Sequence, residues 1–413
     1  MHTLFNVLVH FFSTNKARSF NVVGSYAISA IVLIGALAIF NNNQSLVNPE
    51  IITNFVLIVA LAGGLDLGLV KSCLVNLKGT RSQLFSKTVL IEKVSLRAFI
   101  PSVFIFLLWV NLGPDPGILQ KFIFSYGFCL IGLLSSELRV IFNNVGLHSS
   151  AIWTKQGGIT FGILSFISGI YLGFGVTISL IMYFLARIFW LALLFYRYDK
   201  MCVGNKIVTF ENADIAGWKH MFALNSLAII SGNIDRILVV YFLGADLGIT
   251  YFLIYEIFTK YYLIAYIINP IIFVRYAAGG DGLISVRNLL KVLCALAMTS
   301  VGILIFFVSY NPDFFNSVFN INIGNSYTVV FFMAIVINSV TQTVSALLQA
   351  WGYTEYLVKY SIIVTLVMCV SFTFAITEFG LNGLLVTWLI KSLFEAALIT
   401  SLFFRKEKYE FQR

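Results

Sequence analysis

Twelve stretches of this chain are apolar on most helical faces rather than on one. Each runs for about 20 residues, the length an α-helix needs to cross a hydrocarbon core of about 30 Å. They span 20–40, 51–73, 94–112, 118–142, 156–173, 176–196, 221–243, 249–274, 289–310, 327–349, 357–377 and 381–404. A β-barrel would read as segments of about ten residues alternating apolar and polar, so the pattern predicts transmembrane helices. Ahead of the first run, residues 1–12 are mildly apolar, with no basic residue before them and no small-residue cleavage pattern after them. They are expected to form a short interfacial helix rather than a signal peptide.

Composition strengthens this reading. Of the 413 residues 59% are hydrophobic and 11% charged, and 40 are Phe. A soluble domain carries about 25% charged residues. So little polar surface excludes a cytosolic enzyme, a secreted domain and a disordered chain alike. The five cysteines are scattered, with no CxxC, which argues against a disulfide framework or a zinc site.

The net charge of +9 needs no nucleic acid, because the basic residues follow the bilayer. With the N-terminus inside, the outer loops hold only Lys121, and Arg187, Arg236, Lys260 and Lys391 fall within spans. All other Lys and Arg lie on the inner side, which predicts cytoplasmic N- and C-termini. The longest inner loop, 197–220, divides the helices into two six-helix halves, 1–205 and 206–413.

The halves carry related polar stripes. Ser125, Cys129, Gly132, Ser136, Arg139 and Asn143 recur at helical spacing in the fourth span, and Asn338, Thr341, Gln342, Ser345 and Gln349 in the tenth. Just beyond the ends of these spans stand Gly146 and Gly352, half the chain apart. In lipid such stripes face protein or a wet cavity. The expected fold is therefore an all-α integral membrane protein, two six-helix pseudo-repeat bundles around a central cavity. A catalytic role is not expected. The outer loops are short, the four histidines are far apart, and there is no Walker A motif, no GxGxxG before a helix and no metal-ligand spacing.

At this point the chain resembles the multidrug/oligosaccharidyl-lipid/polysaccharide exporters, and within them the polysaccharide-unit flippases of the Wzx type. The similarity lies in Asn233-Ile-Asp235-Arg236-Ile-Leu-Val-Val-Tyr-Phe-Leu-Gly244-Ala-Asp246-Leu-Gly248-Ile-Thr-Tyr251, in Leu65-Asp66-Leu67-Gly68-Leu69 and in Leu347-Leu348-Gln349-Ala350-Trp351-Gly352. The layout covers the whole chain; the motifs are short. The resemblance implies a non-enzymatic flippase for a polyprenyl-pyrophosphate-linked oligosaccharide, an O-antigen or similar repeat unit, in a bacterial inner membrane. Membrane lipid, a polysaccharide polymerase and chain-length proteins are the implied partners. No cofactor is implied beyond coupling to a proton or sodium gradient.

The intramembrane charges point the same way. At 1.5 Å per residue, Arg236 and Glu256 lie about 12 Å from the outer ends of their helices, Lys391 about 15 Å, and Arg187 and Lys260 about 18 Å. An ionised side chain at mid-membrane costs at least ~2.5 kcal/mol, so several at one depth imply a protein-lined or aqueous space. The four cations Arg187, Arg236, Lys260 and Lys391 outnumber Asp235, Glu256 and Glu395 there, which suits an anionic cargo such as a pyrophosphate. Two pairs, Glu256 with Lys260 and Lys391 with Glu395, are also spaced for i,i+4 ion pairing, an alternative to cargo binding. Asp66, Asp235, Glu256 and Glu395 are the candidates for ion coupling.

Tyr255, Thr259, Tyr262 and Tyr266 share one face of the eighth helix, where phenols can stack on sugars or simply pack. Tyr255, Tyr262, Asn225, Asn338 and Gln342 are the sugar-facing candidates, and Asn269-Pro270 is expected to kink that helix. Two other classes share much of this profile. A drug or cation antiporter of the same superfamily would favour an acidic cavity, and a polysaccharide polymerase would need the external catalytic loop that is absent.

Overall fold

The computed structural model of the chain describes residues 16–42, 49–64, 84–85, 87–112, 117–144, 148–202, 207–208, 218–262, 265, 269, 283–319, 324–351 and 353–410. Its helices are α1 (Lys16–Asn42), α2 (Pro49–Gly64), α3 (Lys87–Leu112), α4 (Ile118–Asn144), α5 (His148–Tyr171), α6 (Val176–Cys202), α7 (Trp218–Leu243) and α8 (Ala245–Thr259). They are followed by α9 (Leu283–Tyr310), the short α10 (Phe314–Phe319), α11 (Asn325–Ala350) and α12 (Thr354–Glu410). Every one of the twelve expected spans meets a helical segment. The expected interfacial helix at 1–12, the second half of the second span and the Pro270 kink lie outside the described residues.

Helix lengths follow from the apolar runs. Among the described residues seven helices are long and apolar enough to cross a membrane, and α1 and α2 carry shorter apolar stretches. The apolar part of α12, Thr354–Phe404, has 51 residues, about 75 Å of continuous helix and more than twice a hydrocarbon core. Gly380, at φ 60° and ψ −148°, divides it. That backbone region is essentially restricted to glycine, so one residue turns an over-long run into two spans.

One small element departs from an all-helical chain. Leu84–Phe85 and Ile207–Val208 pair in parallel as β1 and β2, which joins the loop before α3 to the linker between α6 and α7.

The chain packs as two compact units, Phe20–Ile249 and one beginning at Thr250 that holds the remaining helices. The division by sequence at 205/206 and this division by packing differ by α7, which lies against α2. In the first unit α5 and α6 approach closely because α5 presents glycine. A Cβ on Gly157 would strike the Trp190 ring, and one on Gly169 would stand 2.6 Å from Ser179 Oγ. Small residues at such contacts let helices pack where no water drives association. In the second unit α8, α11 and α12 enclose Tyr251, Phe331, Phe372 and Trp388, all fully buried. By contrast α9 leaves Met298, Ile303 and Phe306 exposed, the surface of a helix meant for lipid.

Candidate functional site

In the first unit Arg187 of α6 is 5% exposed. Tyr183, one turn earlier, accepts a hydrogen bond from Arg187 Nη1 at 3.0 Å, and the guanidinium carbon stands 5.7 Å from the phenol centroid. The pair lies over the glycine face of α5. A Cβ on Gly162 would come 2.7 Å from the Tyr183 ring and 3.2 Å from Arg187 Cδ, and one on Gly158 would come 3.4 Å from Arg187 Nε. The Tyr183 ring is held edge-on to Phe55 and tilted against Phe128. Trp190, the next residue on this face of α6, donates to the Trp153 carbonyl at 3.0 Å. Arg187, expected at mid-membrane depth, thus has a phenol as its hydrogen-bond partner.

On α7 Asp235 is fully buried and Arg236 is 4% exposed. Arg236 Nη1 donates to Asn233 Oδ1 at 3.4 Å, one turn back. The Asn225 position falls on the same helix, its side chain outside the described residues, as Asp66 and Tyr266 are altogether. An apolar crevice of about 240 Å³ opens between α1, α2 and α5, lined by residues such as Leu37, Phe55 and Phe166. Phe55 stacks on Phe166 there at 3.9 Å. Its wholly apolar lining offers nothing to a sugar.

The second unit pairs its charges locally. Lys260 Nζ meets Glu256 Oε2 at 2.6 Å, with the lysine side chain 39% exposed and the glutamate 10%. Lys391 Nζ stands 3.8 Å from Glu395 Oε1 and 4.1 Å from the Trp388 ring centroid. Trp388 in turn donates from Nε1 to Tyr251 Oη at 2.9 Å. Of the sugar-facing candidates, Tyr255 is buried among Tyr251, Phe331 and Trp388, with centroids about 6 Å away, and Tyr262 is buried as well. Gln342 donates to Asn338 Oδ1 at 3.3 Å, so these two polar candidates on α11 meet each other.

Both i,i+4 ion pairs that the spacing allowed are thus formed, and Arg187 is held differently from Lys260 and Lys391. Three features escaped the sequence reading: Tyr183, the glycine face of α5, and the Trp388–Tyr251 bond. The first carried a signal, a phenol one turn before an intramembrane arginine. Glu137 of α4, fully buried, is a further intramembrane carboxylate. Among the described residues no three His, Cys, Asp or Glu side chains are placed to hold a metal ion.

No protein-family model matches the chain, and no curated protein matches it in sequence. Solved structures do. A multidrug resistance MATE family transporter of the MOP superfamily, in an outward-facing conformation, aligns with TM-score 0.63 at 16% identity, covering 95% of this chain and 96% of that one. A MATE structure in a bent conformation aligns with TM-score 0.64 at 15% identity, covering 95% and 97%. The lipid II flippase MurJ, in an inward closed conformation, aligns with TM-score 0.59 at 14% identity, covering 93% and 87%. Over nearly its whole length this multi-pass membrane protein has the fold shared by the MATE transporters of the MOP superfamily and by the flippase MurJ.

Proposed function

We propose that this protein moves a polyprenyl-pyrophosphate-linked oligosaccharide, the repeat unit of an O-antigen or similar polysaccharide, from the cytoplasmic to the external leaflet of a bacterial inner membrane. The observation that carries the reading is Arg187, a buried intramembrane guanidinium whose hydrogen-bond partner is a phenol rather than a carboxylate. An arginine held this way is a standing attraction for an anion that crosses the bilayer. Alternating access of the halves 1–205 and 206–413 around a central cavity would carry the charged head group past protein dipoles while the prenyl tail stays in lipid. The likeness to a lipid II flippase supports a lipid-linked cargo.

In this reading Arg187, Arg236, Lys260 and Lys391 attract the pyrophosphate. Asp66, Asp235, Glu256 and Glu395 serve ion coupling, and Asn225, Asn338 and Gln342 meet the sugars, while Tyr255, packed among Tyr251, Phe331 and Trp388, and the buried Tyr262 back the sugar-facing wall rather than line it. A polysaccharide polymerase and chain-length proteins would act on the delivered unit. Deleting the gene should abolish the surface glycan and trap the lipid-linked unit on the cytoplasmic side. Single repeat units at the surface of the deletion strain would instead identify a polymerase and end the flippase reading.

A second reading, a drug or cation antiporter, draws on the pairing of Lys260 and Lys391 with glutamates, which removes much of the positive excess from the second unit. Hypersensitivity of the deletion strain to cationic drugs, with an intact surface glycan, would favour it.

A further inference from the structure

We infer that Arg187 and Tyr183 form a two-donor site for a phosphate-type oxyanion, complete within the first unit. The inference deepens the proposed function and rests on that reading for its place in a transport cycle. Its basis is the hydrogen-bond inventory of the pair. A guanidinium has five N–H donors and no acceptor. One donor is used on Tyr183 Oη. The phenol oxygen accepts that bond, which leaves its own O–H as a donor, and among the described residues no acceptor takes that proton. Buried tyrosine hydroxyls ordinarily find a partner, and buried arginines ordinarily find an anion. Here a buried guanidinium and a buried phenol, joined by their 3.0 Å bond, each keep further N–H or O–H donors, and among the described residues neither is ion-paired with a carboxylate, so the missing component is an acceptor carrying negative charge.

The surroundings keep this arrangement in place. Gly158 and Gly162 leave room that a Cβ would fill, and Phe55 and Phe128 pin the phenol ring. Arg187 retains 5% exposure against 1% for Tyr183, so both members of the pair are held inside the protein. Two donors this close suit neighbouring oxygens of one phosphate, with the arginine supplying charge and the phenol direction. Tyr183 is therefore a specificity-determining residue: without it the site is a cation, and with it a phosphate cradle.

Phosphate oxygens can arrive on a lipid head group or free in water, and the test separates the two. The full-length protein is placed in phosphatidylcholine nanodiscs and titrated with inorganic pyrophosphate, with acetate as control, following its thermal midpoint. In a second arm phosphatidylglycerol or undecaprenyl phosphate is supplied in the disc, and retained lipid is counted by native mass spectrometry. Wild type should bind saturably in at least one arm, and acetate should compete poorly. Tyr183→Phe keeps the ring and removes the hydroxyl, and it should weaken binding about tenfold. Arg187→Gln should abolish binding and Arg187→Lys should restore only part of it. If Arg187→Gln inserts poorly, Tyr183→Phe decides alone.

Equal affinity for wild type and Tyr183→Phe, or no binding in either arm, overturns the site. Phosphate binding lost in Tyr183→Phe, together with an intact surface glycan in the deletion strain, would uphold the site and overturn the flippase reading instead.

Discussion

Trp388 Nε1 donates a 2.9 Å hydrogen bond to Tyr251 Oη across 137 residues of sequence, tying the second half of α12 to α8. Both rings are sealed from solvent, and Phe331 and Phe372 stand about 6 Å from the indole. The same indole carries Lys391 on its face at 4.1 Å. A buried ammonium beside a ring and a glutamate is compensated twice, by the ring quadrupole and by charge. Trp388 thus joins the aromatic core of the second unit to its intramembrane charge pair.

Trp388→Phe keeps an aromatic ring but removes the indole donor and thins the face under Lys391. The lost hydrogen bond alone is worth about 0.5–1.5 kcal/mol, and the reduced packing and cation–π contact add to it. The thermal midpoint of the purified protein should fall in Trp388→Phe and fall further in Trp388→Leu. Unchanged midpoints in both would show that this bond contributes nothing measurable.

The intramembrane cations should rank by their partners. Lys260 has its charge met by Glu256 at 2.6 Å, whereas Arg187 meets a phenol. Lys260→Ala should therefore reduce glycan export, though less than Arg187→Ala, and the exchange of Lys260→Glu with Glu256→Lys should restore the ion pair but not full export; full recovery would make Lys260 a structural partner of Glu256 only. Arg187→Ala should reduce export most strongly while leaving the amount of inserted protein largely unchanged. A larger export defect in Lys260→Ala than in Arg187→Ala reverses this order.

Glycines divide into those that make room and those that do not. A Cβ at Gly157 meets the rigid Trp190 ring, whereas one at Gly302 on α9 meets nothing within 4 Å. Overpacking costs about 1–3 kcal/mol, while an unobstructed Gly→Ala in a helix gains about 0.4–1 kcal/mol. Gly157→Ala should lower the yield of folded protein and Gly302→Ala should not. Gly380→Ala, unobstructed yet at φ 60°, should cost about 1–3 kcal/mol from backbone strain alone. Thermal melts of the three variants check the order.

Topology offers a separate check. Reporter fusions after Ser45, Pro114, Pro312 and Glu378 should behave as external, and those after Ser82, Asn205, Gly282 and Gln412 as internal. Glu378 stands just before the Gly380 break, where a turn at the outer surface belongs. An external signal at Asn205 would invert the second half of the chain.

Run length and charge position were enough to predict the spans, their orientation and an expected mid-membrane depth for Arg187, Arg236, Lys260 and Lys391. The reason is that lipid offers no hydrogen bonds, so each crossing satisfies its own backbone within one continuous segment, and a local signal becomes decisive. The Glu256–Lys260 and Lys391–Glu395 pairs were legible for the same reason, since i,i+4 neighbours meet on any helix. The tyrosine face of α8 was legible as a face but not as an aromatic core, because its partners Phe331 and Trp388 lie on other helices. Only the packed structure set α5 glycines under Tyr183 and Arg187, brought Trp388 to Tyr251, and paired β1 with β2. Those arrangements depend on which helix faces which, and between apolar helices in lipid that choice is made by shape and buried polar contacts, whose partners are distant in sequence.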